Sequence, residues 1–446
     1  MDTKTSSYFD DFLTADVAPA PREDTKEHKK ERAVLAGIED KSHRGAVSGD
    51  IDELMAELAE LAGTAGAEVA GKLVQRREGI HPGHYLGKGK IDELKALARE
   101  TDADCVILND ELSPAQIRNL SNMLNMKIID RTALILDIFA MRARSAEGRM
   151  QVEMAQLKYR LSRLSGAGAA MSRLGGGIGT RGPGETKLET DRRHIRDKLT
   201  KLRQELKEVR QRRGLLRRQR ERSGIPVIAL VGYTNAGKST MMNLLSGADV
   251  FVENKLFATL DTTTRKIEIN GAEVLLTDTV GFIQKLPTDL VEAFKSTLEE
   301  LVYADILIHV VDASSQTFQN QMNVAYSTIA SLGAGSGPVI TVFNKIDKLD
   351  GVMNAPLTDP RASFCVRTAA LRGTGKGDLL EAIEQTLKSL RKRITVLLPF
   401  GEGYLLDYAH KHCTVLNREH TADGVLLEVY GDEEAVGKLG MFAINT

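Results

Sequence analysis

The residues best placed for chemistry lie at positions 232–239, which read GYTNAGKS. An apolar run at 227–231 precedes them and a helix-compatible stretch at 240–245 follows, which is the strand-loop-helix context of a phosphate-binding loop (P-loop). The glycines free the backbone to turn its N–H groups toward phosphates, while the lysine reaches the outer phosphates and the serine ligates Mg²⁺. The pattern predicts a nucleoside triphosphate site formed by Gly232, Tyr233, Thr234, Asn235, Ala236, Gly237, Lys238 and Ser239.

A second motif, NKID at 344–347, indicates which base is bound. It follows the apolar strand candidate at 339–343, and its carboxylate, Asp347, can accept both the N1–H and the exocyclic amine of guanine. Adenine lacks that pair of donors, and a site built to form a hydrogen bond rejects analogues without it, so we predict GTP rather than ATP. The stretch TAALRGTG at 368–375 resembles a guanine-contacting loop that works largely through backbone N–H groups. The predicted base-contacting residues are Asn344, Lys345, Ile346, Asp347, Ala369, Ala370 and Leu371.

Two segments between these motifs are typical of GTPase switches. DTVG at 278–281 ends the apolar strand candidate 274–276, so we expect Asp278 to hold Mg²⁺ through water and the Gly281 amide to sense the γ-phosphate. In FATLD at 257–261, Thr259 is the preferred second magnesium hydroxyl, with Thr262, Thr263 and Thr264 as alternatives. The predicted switch residues are Phe257, Ala258, Thr259, Leu260, Asp261, Asp278, Thr279, Val280 and Gly281.

Phe282 follows the second switch glycine, and its side chain cannot orient an attacking water as a glutamine does. We therefore expect slow intrinsic hydrolysis by a site whose catalytic residues are Lys238, Gly281 and Asn235. An asparagine at position 235 resembles GTPases that recruit a potassium ion, so K⁺ is a candidate cofactor beside GTP, GDP and Mg²⁺. The other candidate for completing the catalytic site is a partner that repositions the switches.

Composition limits the class of protein. The chain has 446 residues, of which 42% are hydrophobic, enough for two or three domains. The net charge is −1, so no global attraction to nucleic acid exists, and we expect no DNA partner.

Three widely spaced cysteines, Cys105, Cys365 and Cys413, indicate a reducing compartment rather than a disulfide framework or a zinc cluster. With no signal peptide and no membrane-length apolar run, we expect a cytoplasmic monomer without stable membrane insertion, and leave a peripherally membrane-associated fraction open.

The elements that must position these motifs begin with a small α/β domain. Residues 1–30 show little apolar periodicity, and we predict a mostly disordered tail. After it, predicted strands at 33–38, 68–74, 105–108 and 127–130 alternate with predicted helices at 51–61, 91–99 and 114–124, which indicates a parallel sheet. GKGK at 87–90 precedes one of these helices, and either binds phosphate or RNA backbone or is a tight turn with solvated lysines.

Two amphipathic segments precede the P-loop. Apolar residues recur with 4-3-4-3 spacing at 150, 154, 157, 161 and 164, and again at 195, 199, 202, 206 and 209. Matching seams of this kind predict an antiparallel helical hairpin. Residues 192–222 carry 14 Lys or Arg against 4 Asp or Glu, a difference of +10 on one helix of a nearly neutral chain. Such localised charge favours contact with phosphates, the alternative being a merely solvated helix.

The connection between the two helices, predicted at 165–185, contains eight glycines together with Arg173 and Arg181. Ordering so many glycines has a large entropic cost that a simple helix connection does not require. It is either a flexible linker or a tip that becomes ordered in a structured RNA cavity.

Over nearly its whole length the chain resembles the HflX family of translation-associated GTPases. The motifs that carry the resemblance include HYLGKGKIDEL at 84–94, IDRTALILDIF at 129–139, GGGIGTRGPGETKLETDRR at 175–193, LFATLD and DTVGFI. The resemblance implies binding to the large ribosomal subunit, with the hairpin directed at rRNA, stimulation of hydrolysis by the particle, and splitting or rescue of stalled or idle ribosomes. Thr262 and Ala369 depart from the family, which usually has Pro and Ser there. The implied rRNA contacts are Arg173, Arg181, Lys187, Arg192, Arg193, Arg210, Arg212, Arg213, Arg217 and Arg218.

Two other functions stay open from the residues alone: a GTPase of ribosome assembly or RNA maturation, and an RNA-binding or remodelling protein whose affinity nucleotide only tunes. The expected fold class is α/β for all of these functions. A small parallel α/β domain comes first and is followed by an antiparallel helical hairpin, a P-loop GTPase domain and a short α/β C-terminal domain. The predicted boundaries are 1–30 for the tail, 31–140 for the N-terminal domain, 141–223 for the hairpin, 224–392 for the GTPase domain and 393–446 for the C-terminal domain.

Overall fold

A computed structural model of the chain describes residues 30–40, 51–171, 183–221, 225–247, 256–257, 262–269, 271–285, 300–335, 337–349, 356–390, 392–431 and 433–444. The strands are β1 (Arg32–Asp40), β2 (Glu68–Arg77), β3 (Cys105–Leu108), β4 (Lys127–Asp130), β5 (Val227–Gly232), β6 (Thr263–Ile269), β7 (Ala272–Asp278), β8 (Ile306–Asp312), β9 (Val339–Asn344), β10 (Phe364–Arg367), β11 (Lys392–Leu398), β12 (Thr414–Thr421) and β13 (Gly424–Gly431). The helices are α1 (Ile51–Thr64), α2 (Lys88–Glu100), α3 (Pro114–Leu124), α4 (Arg131–Arg142), α5 (Ala146–Met171), α6 (Pro183–Glu221), α7 (Lys238–Ser246), α8 (Phe318–Ser331), α9 (Lys376–Leu390), α10 (Gly403–His412) and α11 (Glu433–Leu439).

The N-terminal sheet is parallel throughout, with the strand order β2-β1-β3-β4. Its two central strands, β1 and β3, contain continuous apolar runs because helices cover both faces of the sheet. Leu35 of β1 packs in the cluster that contains α1 and α4, whereas Val34 faces the cluster that contains α2 and α3. Ser113 begins α3 with a capping box, in which its hydroxyl accepts from the Gln116 amide. This arrangement confirms the predicted parallel α/β domain.

The GTPase sheet has six strands in the order β10-β9-β8-β5-β7-β6. All neighbours are parallel except β6, which is antiparallel to β7. Parallel strands bring their carboxyl ends to one edge, so the P-loop after β5, DTVG after β7 and NKID after β9 meet there. This edge is the place where such sheets bind ligands.

The two long helices α5 and α6 pack as the predicted hairpin. Leu157 and Leu164 of α5 and Leu199, Leu202 and Leu206 of α6 are buried. The α6 helix has 39 residues, which corresponds to a length of about 58 Å. The seam belongs to the same apolar cluster as the N-terminal helices α1 and α4. The hairpin is therefore anchored at its base to the N-terminal domain.

The C-terminal segment forms a three-stranded antiparallel sheet in the order β11-β13-β12. Leu405 and Ala409 of α10, with Leu439 of α11, pack against Val396 and Leu427 of the sheet. Among the helices that the structure describes, none combines the length and the apolar character that a membrane span needs.

Three of the differences between the structure and the sequence-based prediction concern α4, the glycine-rich connection and β12. Helix α4 was not predicted, because its residues from Ala133 to Leu136 are buried all round and show no amphipathic period. The glycine-rich connection was predicted to begin at residue 165, but α5 continues to Met171 through helix-favouring alanines, and α6 begins at Pro183, a residue suited to a first helical turn. Strand β12 was missed, because residues 416–420 are exposed and show no alternation.

Three predicted segments lie outside the described residues. They are residues 1–29 of the tail, residues 172–182 of the hairpin tip and residues 258–261 of the first switch, which include Ala258, Thr259, Leu260 and Asp261.

Candidate functional site

Two glycines of the P-loop are required by close contacts. Gly232 has φ +147°, and a Cβ there would lie 2.2 Å from the Val310 carbonyl oxygen. Gly237 has φ +102°, and its Cβ would lie 2.3 Å from Asn344 Nδ2. Any side chain at either position would push β8 or the NKID motif away from the loop. The packing of the loop thus needs glycine at both ends of the motif.

Lys238 is buried at the start of α7. Its ammonium donates to the carbonyl oxygens of Gly232 at 3.1 Å and Tyr233 at 2.8 Å. Burial lowers the pKa of Lys238 to about 8, and the nearby Asp278 carboxylate opposes that shift. An anionic phosphate bound beside Lys238 would therefore stabilise the protonated form of the lysine.

Two of the three predicted magnesium residues are brought together. Ser239 Oγ donates to Asp278 Oδ2 at 2.8 Å, so a hydroxyl and a carboxylate, the hard oxygen donors that Mg²⁺ prefers, lie side by side. Thr264 lies in β6, and its hydroxyl is 3.0 Å from that of Thr277. Thr259 lies outside the described residues, so the choice among Thr259, Thr262, Thr263 and Thr264 stays a prediction.

The NKID motif is built into the P-loop. Asn344 is buried, and its Nδ2 donates to the Ala236 carbonyl at 2.9 Å while its Oδ1 accepts from the Ala370 amide at 3.0 Å. Asn344 thus ties the guanine loop to the phosphate loop. Asp347 pairs with Arg372 at 3.2 Å on the outer side.

The remaining base-contact candidates surround this motif. Lys345 has φ +61° and donates to Asp312 Oδ2 at 2.7 Å, and Ile346 begins a short 3-10 turn that contains Asp347. The Ala369 amide donates to Thr374 O at 3.1 Å, so the amides of Ala369 and Ala370 are both engaged inside the protein. Leu371 is exposed on the surface of the same loop. Guanine contact by these amides stays a prediction.

The second switch lies directly on the P-loop. The Thr234 amide donates to Phe282 O at 2.8 Å, and the Phe282 amide donates to Gly232 O at 3.0 Å. Between these residues and β7, a Cβ on Gly281 would lie 2.9 Å from Lys238 Nζ and equally close to the Thr234 backbone. Thr279 and Val280 are buried beside it. The backbone of Gly281 therefore stands beside the lysine that is predicted to reach the outer phosphates.

A buried polar cluster that the sequence did not reveal joins this switch to the N-terminal domain. Arg131, at the start of α4, donates to the Gln284 carbonyl at 3.0 Å and to the Asn109 side chain at 3.0 Å, and it pairs with Glu57 of α1. The hydroxyl of Tyr233 bonds to Glu57 and accepts from the Gln284 amide at 2.9 Å. The sequence offered only a weak signal, because Arg131 stands beside Asp130 in an otherwise largely apolar stretch, 128–136.

The first switch also contacts the N-terminal domain. Phe257 is buried with φ +53°, and its ring lies edge-on to the Phe139 ring of α4 at 4.6 Å. Both rings belong to the large cluster that contains Phe282. Both switch segments therefore pack against the same helix-bearing face of the N-terminal domain.

An acidic cavity of about 400 Å³ opens beside the P-loop, between α1 and the segment after β8. Asn235, the candidate potassium ligand, is exposed there with φ +59°. The acidic residues that line the cavity are Asp52, Glu53, Glu57, Glu60 and Asp312. Two of these carboxylates are already paired, Glu57 with Arg131 and Asp312 with Lys345, so the acidic surroundings of Asn235 come mainly from Asp52, Glu53 and Glu60 of α1.

The predicted rRNA contacts fall into three groups. Three are exposed on α6, namely Arg193, Arg210 and Arg212. Two make contacts within the hairpin, since Arg192 donates to the Leu164 carbonyl at 3.0 Å and Arg213 pairs with Glu147 at 3.1 Å. The side chains of the other five lie outside the described residues: Arg173, Arg181, Lys187, Arg217 and Arg218.

A P-loop after β5, a hydrogen-bonded Ser239–Asp278 pair and an NKID motif after β9, all at one edge of one sheet, define a P-loop GTPase. The sequence matches family models described as GTP-binding GTPase N-terminal at residues 52–140, GTP-binding GTPase middle region at 142–220 and 50S ribosome-binding GTPase at 227–345. The chain belongs to the HflX family of GTPases and is a GTP hydrolase that binds GTP and GDP.

Several relatives are similar over most of their length. GTPase HflX of Caldanaerobacter subterraneus subsp. tengcongensis is 49% identical over 93% of this chain and 94% of its own. GTPase HflX of Escherichia coli K12 is 40% identical over 80% of this chain and 84% of its own. A GTP-binding protein from Sulfolobus solfataricus, solved in complex with GDP, aligns with a TM-score of 0.43 and 24% identity over 81% of this chain and 99% of that chain.

Proposed function

We propose that this GTPase binds the large ribosomal subunit and couples GTP binding and hydrolysis there to the splitting or rescue of stalled or idle ribosomes. Mg²⁺ serves the site through Ser239, Asp278 and Thr259, and K⁺ beside Asn235 is its candidate activator. The description of the matching family model as a 50S ribosome-binding GTPase supports the choice of particle.

The observation that carries the proposal is the distribution of charge on α6. Residues 192–222 have 14 basic against 4 acidic side chains, whereas the net charge of the whole chain is −1. Exposed arginines such as Arg210 and Arg212 leave this charge available to phosphates. Contacts of this kind dominate binding to nucleic acid and weaken steeply as salt is raised.

The hairpin also packs in the same apolar core as the switch segments. Leu199 and Leu202 of α6 belong to one apolar cluster with Phe139 of α4 and with Phe257 and Phe282 of the switch segments. A close-packed core transmits small displacements between elements because it has no space to absorb them. Engagement of the hairpin with rRNA is therefore expected to alter the switch segments, which accounts for stimulation of hydrolysis by the particle.

Sedimentation tests this function. Purified protein is mixed with large subunits, with intact ribosomes or with precursor particles, in the presence of GDP or a non-hydrolysable GTP analogue. We expect analogue-dependent pelleting with mature large subunits and conversion of intact ribosomes into subunits. Binding confined to precursor particles would instead support a role in assembly, and nucleotide-independent binding to naked RNA would support a remodelling role.

A further inference from the structure

We propose that Glu57 and Arg131 of the N-terminal domain hold the second switch in an arrangement that accepts GDP and disfavours GTP. With Tyr233 and Gln284 they form a four-residue group, here called the interdomain clamp. This nucleotide preference is a property of the isolated protein and does not depend on the particle that the protein binds.

The clamp holds both backbone polar groups of Gln284. Its carbonyl accepts from Arg131 Nη2 at 3.0 Å, and its amide donates to the Tyr233 hydroxyl at 2.9 Å. Glu57 joins the two holding side chains, since one carboxylate oxygen pairs with Arg131 and the other accepts from the Tyr233 hydroxyl. A switch residue is therefore fixed by one side chain from the P-loop and one from another domain.

Burial makes these contacts strong. The Arg131 and Glu57 side chains are 2% and 11% exposed, and Asn109 fixes the far side of the guanidinium at 3.0 Å. Burial raises the pKa of the Tyr233 hydroxyl far above its ordinary value, so it remains a protonated donor. Removing one partner from a buried, charge-assisted set leaves the others unsatisfied, which costs more than losing an exposed contact.

The position of Gln284 determines where Gly281 lies. Only two residues lie between them, and one of these, Phe282, is fixed to the P-loop through both its amide and its carbonyl. Gly281 then stands so close to Lys238 that a Cβ would be 2.9 Å from its ammonium. Because Lys238 serves the outer phosphates, a γ-phosphate must displace this backbone, whereas GDP has no group that reaches it.

Displacement of Gly281 must be transmitted to the clamp. GTP binding therefore includes the cost of breaking hydrogen bonds to Gln284, and GDP binding does not. A ligand shifts such an equilibrium only by its difference in affinity for the two arrangements, so weakening the clamp raises the apparent affinity for GTP.

A nearby exposed contact supplies the matched control. Lys285, next to Gln284, pairs with Asp110 of the N-terminal domain, but its side chain is 41% exposed. Exposed ion pairs contribute little, so Lys285→Gln breaks a contact between the same two domains without entering the clamp.

The test measures dissociation constants of fluorescent GDP and of a fluorescent non-hydrolysable GTP analogue, with Mg²⁺ and without ribosomes. In Tyr233→Phe and in Glu57→Gln, the ratio of the GDP dissociation constant to the analogue dissociation constant is expected to rise on the order of tenfold. Lys285→Gln is expected to change neither constant. Hydrogen exchange of residues 281–285 should speed up in the two clamp variants.

An unchanged ratio of the two dissociation constants in a folded Tyr233→Phe variant would overturn the inference. Equal weakening of both nucleotides would also overturn it, because that outcome indicates general damage to the P-loop. Thermal unfolding establishes which variants are folded, and Tyr233→Phe alone decides the matter if Glu57→Gln does not fold. Since no particle is present, failure here leaves the proposed ribosomal function untouched.

Discussion

The hydroxyl of Tyr233 lies 2.9 Å from the backbone nitrogen of Gln284, so a P-loop side chain holds the second switch. The same hydroxyl bonds to Glu57 of the N-terminal domain, 176 residues away in the chain. The segment that follows the second switch is therefore held partly by a domain that lies far from it in sequence.

The base preference is expected to change when Asp347 is replaced by asparagine. A carboxylate accepts two donors from guanine, but an amide offers one acceptor and one donor, which suits xanthine with its carbonyl at the second position. Affinity for GTP should fall by roughly a hundredfold or more, and affinity for XTP should rise. Competition binding against fluorescent GDP measures both. Asp378→Asn, an exposed change on α9 of the same domain, should leave both unaltered.

Loss of the Ser239 hydroxyl should uncouple nucleotide binding from magnesium. Ser239 Oγ is 2.8 Å from Asp278 Oδ2, and these two groups are the described candidates for the metal site. In Ser239→Ala, titration of Mg²⁺ should no longer tighten nucleotide binding, while affinity in chelator stays near that of the wild type. Ser246→Ala, at the other end of α7, is the control. Retained magnesium dependence in Ser239→Ala would exclude this serine as a ligand.

The charge on α6 predicts a change in salt dependence. Replacing Arg196, Arg203, Arg210 and Arg212 with glutamine removes four exposed cations from the helix. The slope of log Kd for large subunits against log salt should decrease, in proportion to the number of rRNA phosphates that these arginines neutralise, and GTP affinity should stay unchanged. The control removes four exposed cations elsewhere, at Lys266, Lys388, Lys411 and Arg418. Equal slopes for both variants would argue against rRNA contact by α6.

Stability should depend on the titration of His309. Burial in β8 lowers its pKa to about 4, from an ordinary value of 6.5, although Asp359 nearby opposes the shift. As the pH falls below 6.5 the unfolded chain takes up the proton first, so stability present at neutral pH is lost progressively down to about pH 4. Between pH 7 and pH 5 the wild type should lose about 2 kcal/mol more than His309→Phe.

Urea unfolding followed by circular dichroism at the two pH values measures that difference. The phenylalanine preserves a ring beside Tyr326, whose centroid is 5.0 Å from that of the histidine, so the packing is comparable. A wild type and variant that lose equal stability over this range would place the histidine pKa near its ordinary value.

Local patterns were sufficient to predict the parts of the site that a single segment forms. The P-loop, DTVG and NKID each come at the carboxyl end of one strand. Because these strands are parallel, the three motifs meet at the same edge of the sheet. The hairpin seams were also predictable, because Leu157, Leu202 and their neighbours repeat at helical spacing.

The clamp could not be predicted, because it depends on how two domains pack. Nothing in the spacing of Glu57, Arg131 and Gln284 indicates that they meet, and an exposed arginine at 131 would look the same in the sequence. Helix α4 was missed for a related reason, since burial on all sides removes the amphipathic period that identifies a helix. Information about contacts between domains lies in tertiary packing and not in local periodicity.

The proposed function requires that this GTPase stay slow until the large ribosomal subunit engages it. The most direct measurement is the single-turnover rate of GTP hydrolysis as purified large subunits are added, compared with equal amounts of small subunits. We predict a saturable rise with large subunits, on the order of a hundredfold or more as for GTPases completed by a partner, and no rise with small subunits. A rate that is unchanged by saturating large subunits would contradict the proposal.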